Sequence, residues 1–156
     1  MAEFNISIQK VLDNEGGLSR NPMDRGGLTR FGISQKAYPN EYVDSLTIER
    51  AKFLYERDYW NPISGNQIMS QEVADSLLDA SVNIGVGSAV KLAQKVVGVD
   101  DDGSVGKDTI YAINTYSPKL FIAEFKLAKI QKYVYICLTN SNQKTFFFGW
   151  VIRALK

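Results

Sequence analysis

Three polar residues near the start of the chain, Glu15, Asp24 and Thr29, could do chemistry together. Phe4, Ile8, Val11 and Leu12 fall at helical spacing, Glu15 continues their apolar face, and Gly16-Gly17 ends the predicted helix directly after it. An apolar face and a helix C-terminus both disfavour a carboxylate, so both raise its pKa. A carboxylic acid that keeps its proton near neutral pH is what a glycosidic oxygen needs as donor, because a sugar alkoxide leaves poorly. The competing reading is a helix-end glutamate in water. Asp24 lies nine positions after Glu15 and Thr29 five after Asp24, across a glycine-rich loop that can fold back beside the helix end. A carboxylate and a hydroxyl placed there could orient a water on the sugar face opposite Glu15, or they could simply satisfy backbone amides in a turn. Pattern alone favours the ordinary reading for all three.

Composition removes competing chemistries. The chain of 156 residues contains no histidine and a single cysteine, Cys137. Ser/His/Asp and Cys/His nucleophilic sites are therefore excluded, and a catalytic zinc lacks its usual ligands. One cysteine forms no internal disulfide, and its place in an apolar helical stripe marks a small buried hydrophobe. Acid and base work falls to carboxylates. Lys plus Arg total 18 against 17 for Asp plus Glu, so no strong field draws the protein to nucleic acid or an anionic membrane. The N-terminus has no basic region followed by an apolar core, and no apolar run approaches the ~20 residues of a membrane span. Synthesis in the cytoplasm without a signal peptide is expected.

The elements that must position these residues read as mostly helical. Residues 18 to 34 are rich in turn formers, with a small hairpin around Leu28 to Ile33. Helices are predicted from Thr47, as N-cap, to Trp60 before Asn61-Pro62; from Gln71 to Ile84; from a cap at Ser88 to near Gly98; from Lys107 to Asn114; and, longest of all, from Pro118. The last has the stripe Leu120, Ala123, Leu127, Ile130, Val134 and Cys137, with Phe121, Phe125 and Tyr135 on a neighbouring face and Lys126, Lys129 and Lys132 in solvent. No repeat or flexible linker appears.

Tyr59 and Trp60 could stack on the apolar face of a sugar ring, and Asn83 could hydrogen-bond a substrate acetamido group. Core packing is the competing reading for both aromatics. Trp150 and Arg153 are read as anchors of the C-terminus, and Phe146-Phe147-Phe148 as packed against the long helix in preference to an exposed patch. Asp100-Asp101-Asp102-Gly103 invites a calcium loop, but Gly98 and Thr109 stand where acidic ligands are required, so a polar turn before a helix is the better reading.

The ordered blocks Glu15-Gly16-Gly17, Asp24-Arg25-Gly26-Gly27-Leu28-Thr29-Arg30-Phe31-Gly32-Ile33, Tyr59-Trp60-Asn61-Pro62-Ile63 and Asp79-Ala80-Ser81-Val82-Asn83-Ile84-Gly85 resemble the signature of glycoside hydrolase family 108, a family of N-acetylmuramidases. Ala89 through Gln94, Asp102-Gly103-Ser104-Val105-Gly106 and Phe148-Gly149-Trp150-Val151-Ile152-Arg153 are similar to the predicted peptidoglycan-binding region that commonly follows. The resemblance implies a mainly α, lysozyme-like fold with a small β-hairpin near the active site. It implies a catalytic region over 1–88 and a helical peptidoglycan-binding region over 89–156, packed as one globular unit. It makes Glu15 the catalytic acid. Asp24 and Thr29 resemble the Glu, Asp, Thr spacing of phage-type lysozymes, with one residue fewer before the threonine.

The implied reaction is hydrolysis of the β-1,4 bond between N-acetylmuramic acid and N-acetylglucosamine, with peptidoglycan as substrate and no cofactor or metal. A lytic transglycosylase and a non-catalytic wall-binding module of a lysis or secretion apparatus are the alternatives. Families of this kind include phage endolysins and secretion-associated muramidases, so a holin or secretion machinery would carry the chain across the inner membrane to the periplasm or cell envelope. No nucleic acid is implied, and nothing such as a sustained heptad demands more than a monomer.

Overall fold

The computed structural model describes residues 1–15 and 28–155, with the side chains of Asn14 and Glu15 outside that description. Helix α1 is described over Phe4–Glu15, and Gly16-Gly17, its predicted stop, lie outside the described residues. Strands β1 (Thr29–Arg30) and β2 (Ile33–Ser34) form the hairpin, with Arg30 opposite Ile33 and Thr29 opposite Ser34. Phe31 and Gly32 turn between them at φ 52° and 76°, the paired positive values of the tight turn that matches strand twist.

Helix α2 (Ile48–Tyr55) starts at Thr47, whose hydroxyl accepts the Arg50 amide as an N-cap. The predicted helix to Trp60 differs in its last five residues, Glu56–Trp60, which wind as a π-turn. Ala51, Leu54 and Tyr55 set the buried face, and ordinary winding would bring Asp58 and Tyr59 onto it. The extra residue in the turn lets Trp60, five after Tyr55, face inward in their place.

Helix α3 (Gln71–Ile84) is capped by Ser70 and buries Val73, Ala74, Leu77, Leu78, Ala80 and Ser81. Helix α4 (Val86–Val97) begins three residues earlier than a cap at Ser88 requires: Gly85, at φ 84°, is its N-cap, so Ser88 lies inside the first turn. A left-handed Gly98 ends it as expected. The acidic run that follows is a polar turn. Asp102 Oδ1 accepts the Ser104 amide and Gln94 Nε2, both at 2.8 Å, ahead of helix α5 (Lys107–Thr115).

Helix α6 (Pro118–Thr139) is the longest, with Ser117 as N-cap, and the short α7 (Phe147–Leu155) packs back on it. The buried face of α6 differs from the aliphatic stripe. Phe121, Phe125, Lys129, Tyr133 and Cys137, each four residues apart, face inward, while Leu120, Leu127 and Val134 are exposed. Three aromatic rings bury more apolar area than the leucines they displace, so the helix is rotated to enclose them, and Lys129 goes in with them. Lys129, expected in solvent, is 4% exposed. Tyr135 is exposed as well, and Phe146 and Phe148 lie at the surface, not against α6. Cys137 is free and buried, as its position predicts. Among the described residues no helix is long and apolar enough to cross a membrane.

Candidate active site

Glu15 is the last described residue of α1, and the structure fixes that helix from its N-terminal side. The Ala2 amide donates to Ile68 O at 2.8 Å and the Glu3 amide to Gln71 Oε1 at 2.7 Å. Further along, Ser7 Oγ and Lys10 Nζ both donate to the Asp75 carboxylate. Gln71 Nε2 bridges Ser7 Oγ at 2.8 Å and Asp75 Oδ1 at 2.7 Å. Ile8, Val11 and Leu12 bury the other side of the helix. This polar ladder to α3 sets the height and rotation of α1, and so the place where Glu15 leaves it.

Thr29 sits half-buried in β1. The hairpin carrying it is held by Tyr55 Oη, which donates to Phe31 O at 3.0 Å, and by Arg30 Nη1, which donates to Asp44 O at 2.6 Å. Arg30 also lies 5.3 Å over the Phe31 ring. Asp24 lies outside the described residues.

The two neighbouring aromatics part ways. Trp60 is 0% exposed, 5.7 Å from the Phe4 ring, with its indole N–H donating to Asn66 Oδ1 at 2.9 Å. Gly65 lies against the indole so closely that any Cβ there would overlap the ring. Both faces are covered, so in this structure Trp60 occupies the core as the packing reading requires, with none of its ring open to a sugar. Tyr59 is half-buried, 5.6 Å from Tyr55, and faces a 580 Å³ cavity with Tyr38, Asp58, Arg57 and Glu41. Tyr38 Oη donates to Asp58 Oδ2 at 2.9 Å. Burial holds the Tyr38 phenol far above its ordinary pKa, and the hydrogen bond from Arg57 keeps the Asp58 carboxyl below the usual range.

Asn83, near the end of α3, is half-buried and donates from Nδ2 to Tyr133 Oη at 2.7 Å. Tyr133 in turn packs 5.3 Å from Trp150 of α7. One turn earlier on α3, Asp79 accepts from Arg153 Nε at 3.2 Å and Nη2 at 2.9 Å. Trp150 and Arg153 thus anchor the C-terminal helix as expected, but they do so onto α3 and α6 beside Asn83.

Sequence reasoning missed two features. The Ser7-Gln71-Asp75 ladder joins positions more than sixty residues apart, for which the sequence carries no local signal. A 410 Å³ cavity between α1, α3, α6 and α7, lined by Lys10, Val11, Asp75, Asp79, Lys129 and Arg153 among others, went unforeseen because Lys129 was assigned to solvent. The four-residue series Phe121, Phe125, Lys129, Tyr133, Cys137 was the available signal.

A helical body with a two-stranded hairpin defines a mainly α, lysozyme-like protein. The family model described as Glycosyl hydrolase 108 matches residues 8–85, and the chain belongs to that family. A second model, Predicted Peptidoglycan domain, matches residues 88–155. Among solved structures, that of Brucella abortus SagA is similar, with 29% identity and a TM-score of 0.75 over 97% of this chain and 93% of that one. No curated protein matches the chain. The chain is a glycoside hydrolase directed at peptidoglycan, and hence at the cell wall.

Proposed function

We propose that the protein is an N-acetylmuramidase that hydrolyses the β-1,4 bond between N-acetylmuramic acid and N-acetylglucosamine. Glu15 is the general acid that protonates the leaving oxygen; Asp24 and Thr29 hold the water that attacks the anomeric carbon. The observation that supports the reading is Glu15 on α1, a helix locked to α3, inside the segment matched by the glycosyl hydrolase model. Where α1 stops at Gly16-Gly17, as the sequence predicts, its terminal carbonyls disfavour a carboxylate on Glu15 and help it keep its proton. Tyr59 supplies an apolar face for a sugar ring. Asn83 keeps its Oδ1 free of the Tyr133 bond and can accept an acetamido N–H. Trp60 supports this site from the core. Residues 1–88 form the catalytic region and 89–156 the peptidoglycan-binding region, with a holin or secretion machinery supplying passage to the periplasm.

The test is clearance of purified peptidoglycan by wild type and by Glu15→Gln, with binding measured in parallel. Glu15→Gln is expected to bind and not clear; equal clearance by the two would overturn the assignment. Mass spectrometry of the products reports reducing muramic ends for hydrolysis and anhydro ends for a lytic transglycosylase. Binding without clearance by wild type would leave a wall-binding module.

A further inference from the structure

We propose that the cavity between α1, α3, α6 and α7 is a carboxylate-binding subsite, with Lys129 as its principal ligand, that takes a carboxylate of the peptidoglycan peptide stem. This rests on the muramidase reading above and adds a specificity site to it.

The starting point is an unmatched buried charge. Removing an ammonium from water costs several kcal/mol unless a partner compensates. Lys129 is enclosed on α6, its ammonium 5.4 Å over the Phe125 ring, and among the described residues it makes no hydrogen bond or ion pair. Its neighbours are already engaged. Lys10 donates to Asp75, Arg153 donates twice to Asp79, and Lys126 Nζ donates to Leu155 O at 2.8 Å. The described lining holds four basic residues, Lys10, Lys126, Lys129 and Arg153, against three acidic ones, Glu72, Asp75 and Asp79. Among the described lining residues the cations outnumber the anions by one, and the three N–H donors of Lys129 have no hydrogen-bond partner there.

A monoanion completes this arrangement. Asp75 and Asp79 on the same wall would repel a phosphate dianion, whereas a single carboxylate balances Lys129 and stays compatible with both. The cavity, at 410 Å³, has room for a carboxylate with the residue that bears it. Its position fits the peptide branch of the polymer. Val11 and Lys10 form one wall, a helical turn before Glu15, and α6 and α7, from the segment matching the peptidoglycan model, form another. A glycan strand at the end of α1 carries its peptide from the muramic lactyl group, and that peptide ends in free carboxylates.

The experiment is calorimetric titration of the full chain with N-acetylmuramyl-L-alanyl-D-glutamate, which contains no glycosidic bond to cleave. Three controls accompany it: the same compound with both glutamate carboxyls amidated, N-acetylmuramic acid, and the Lys129→Met variant. Wild type is expected to bind the free acid roughly 10- to 100-fold more tightly than the diamide, as for a hydrogen bond to a charged group, and Lys129→Met is expected to lose that difference. Equal binding of acid and diamide by wild type overturns the subsite, whether or not the variant folds. An unchanged preference in a folded Lys129→Met removes Lys129 from it. Binding of N-acetylmuramic acid as tight as that of the dipeptide assigns the site to the lactyl carboxylate and overturns the stem. Clearance of peptidoglycan by wild type is read separately, so loss of the muramidase reading and loss of the subsite are distinct results.

Discussion

Asn83 Nδ2 donates to Tyr133 Oη at 2.7 Å, and this bond joins α3 to α6 across the two segments that the family models match. Its two ends differ in their access to water. Tyr133 is buried and Asn83 half-exposed. Tyr133→Phe leaves an amide that water can reach, and is expected to cost about 1 kcal/mol; Asn83→Ala strands a buried hydroxyl, and is expected to cost about 1–3 kcal/mol. Urea denaturation of both variants measures this. Turnover of peptidoglycan separates structure from chemistry: if Asn83 also receives the substrate acetamido group, Asn83→Ala raises KM well beyond Tyr133→Phe. Equal effects on KM would remove Asn83 from the substrate site.

Much of the scaffold was legible because its signals are local. Thr47, Gly98 and Ser117-Pro118 bound helices through capping and dihedral preferences that neighbouring residues alone determine. The rotation of α6 was not legible from its leucines, because aliphatic periodicity ignores that Phe121, Phe125 and Tyr133 compete for the same core with larger rings. Likewise, the π-turn before Asn61 depends on where Trp60 finds space beneath Gly65, a contact made by the fold. Of the site, the placing of Glu15 on α1 and of Thr29 in a hairpin follows from sequence. The ladder that fixes α1 and the cavity around Lys129 arise only when α1, α3, α6 and α7 are assembled.

Gly65 tests the burial of Trp60 directly. A methyl group at this position would occupy the space of the indole ring, so the ring or the backbone must shift. Gly65→Ala is expected to destabilise the protein by about 1–3 kcal/mol, as overpacking does. For a chain of this size the melting temperature falls about 2–4 °C per kcal/mol. Differential scanning calorimetry checks it, and an unchanged melting temperature would mean that the indole can move aside freely. Tryptophan emission should shift to the red if the ring is expelled.

Lys129 predicts a pH dependence of stability. Burial lowers its ammonium pKa; Asp79 acts against this, while Lys126 and Arg153 act with it. The cost of enclosing the charge is therefore fully present below the folded-state value. As pH rises towards the unfolded lysine value of about 10.4, the unfolded chain retains more protons than the folded one and the cost is relieved. Lys129→Met keeps the apolar stem and removes the charge, so it is expected to be more stable than wild type at pH 7, by about 1–4 kcal/mol where no ligand is bound. The gap between the two should narrow as pH rises through the lowered folded-state value towards the unfolded lysine value of about 10.4. Guanidinium unfolding at stepped pH measures it, and a constant gap would show that the ammonium is not held in a costly position.

Asp75 provides the test of how α1 is held. Its carboxylate receives Ser7, Lys10 and Gln71, so Asp75→Ala releases all three donors at once. Lys10 is largely exposed and contributes little as an ion pair. Ser7 is buried, and its hydroxyl is left with only a long bond to Glu3 O at 3.5 Å while Gln71 keeps Glu3 O and Ser7 Oγ, so the loss is expected to cost about 1–3 kcal/mol. Because Glu15, the proposed acid, lies on the same helix, loss of the ladder is expected to misplace it as well. That effect falls on kcat rather than KM, since misplacement of a reacting group by about 1 Å can cost on the order of 100-fold in rate. Asp75→Asn keeps an acceptor for Ser7 and should recover most of kcat while losing the Lys10 ion pair. A kcat for Asp75→Ala equal to that of wild type, at a temperature where both are folded, would show that α1 is positioned by its apolar face alone.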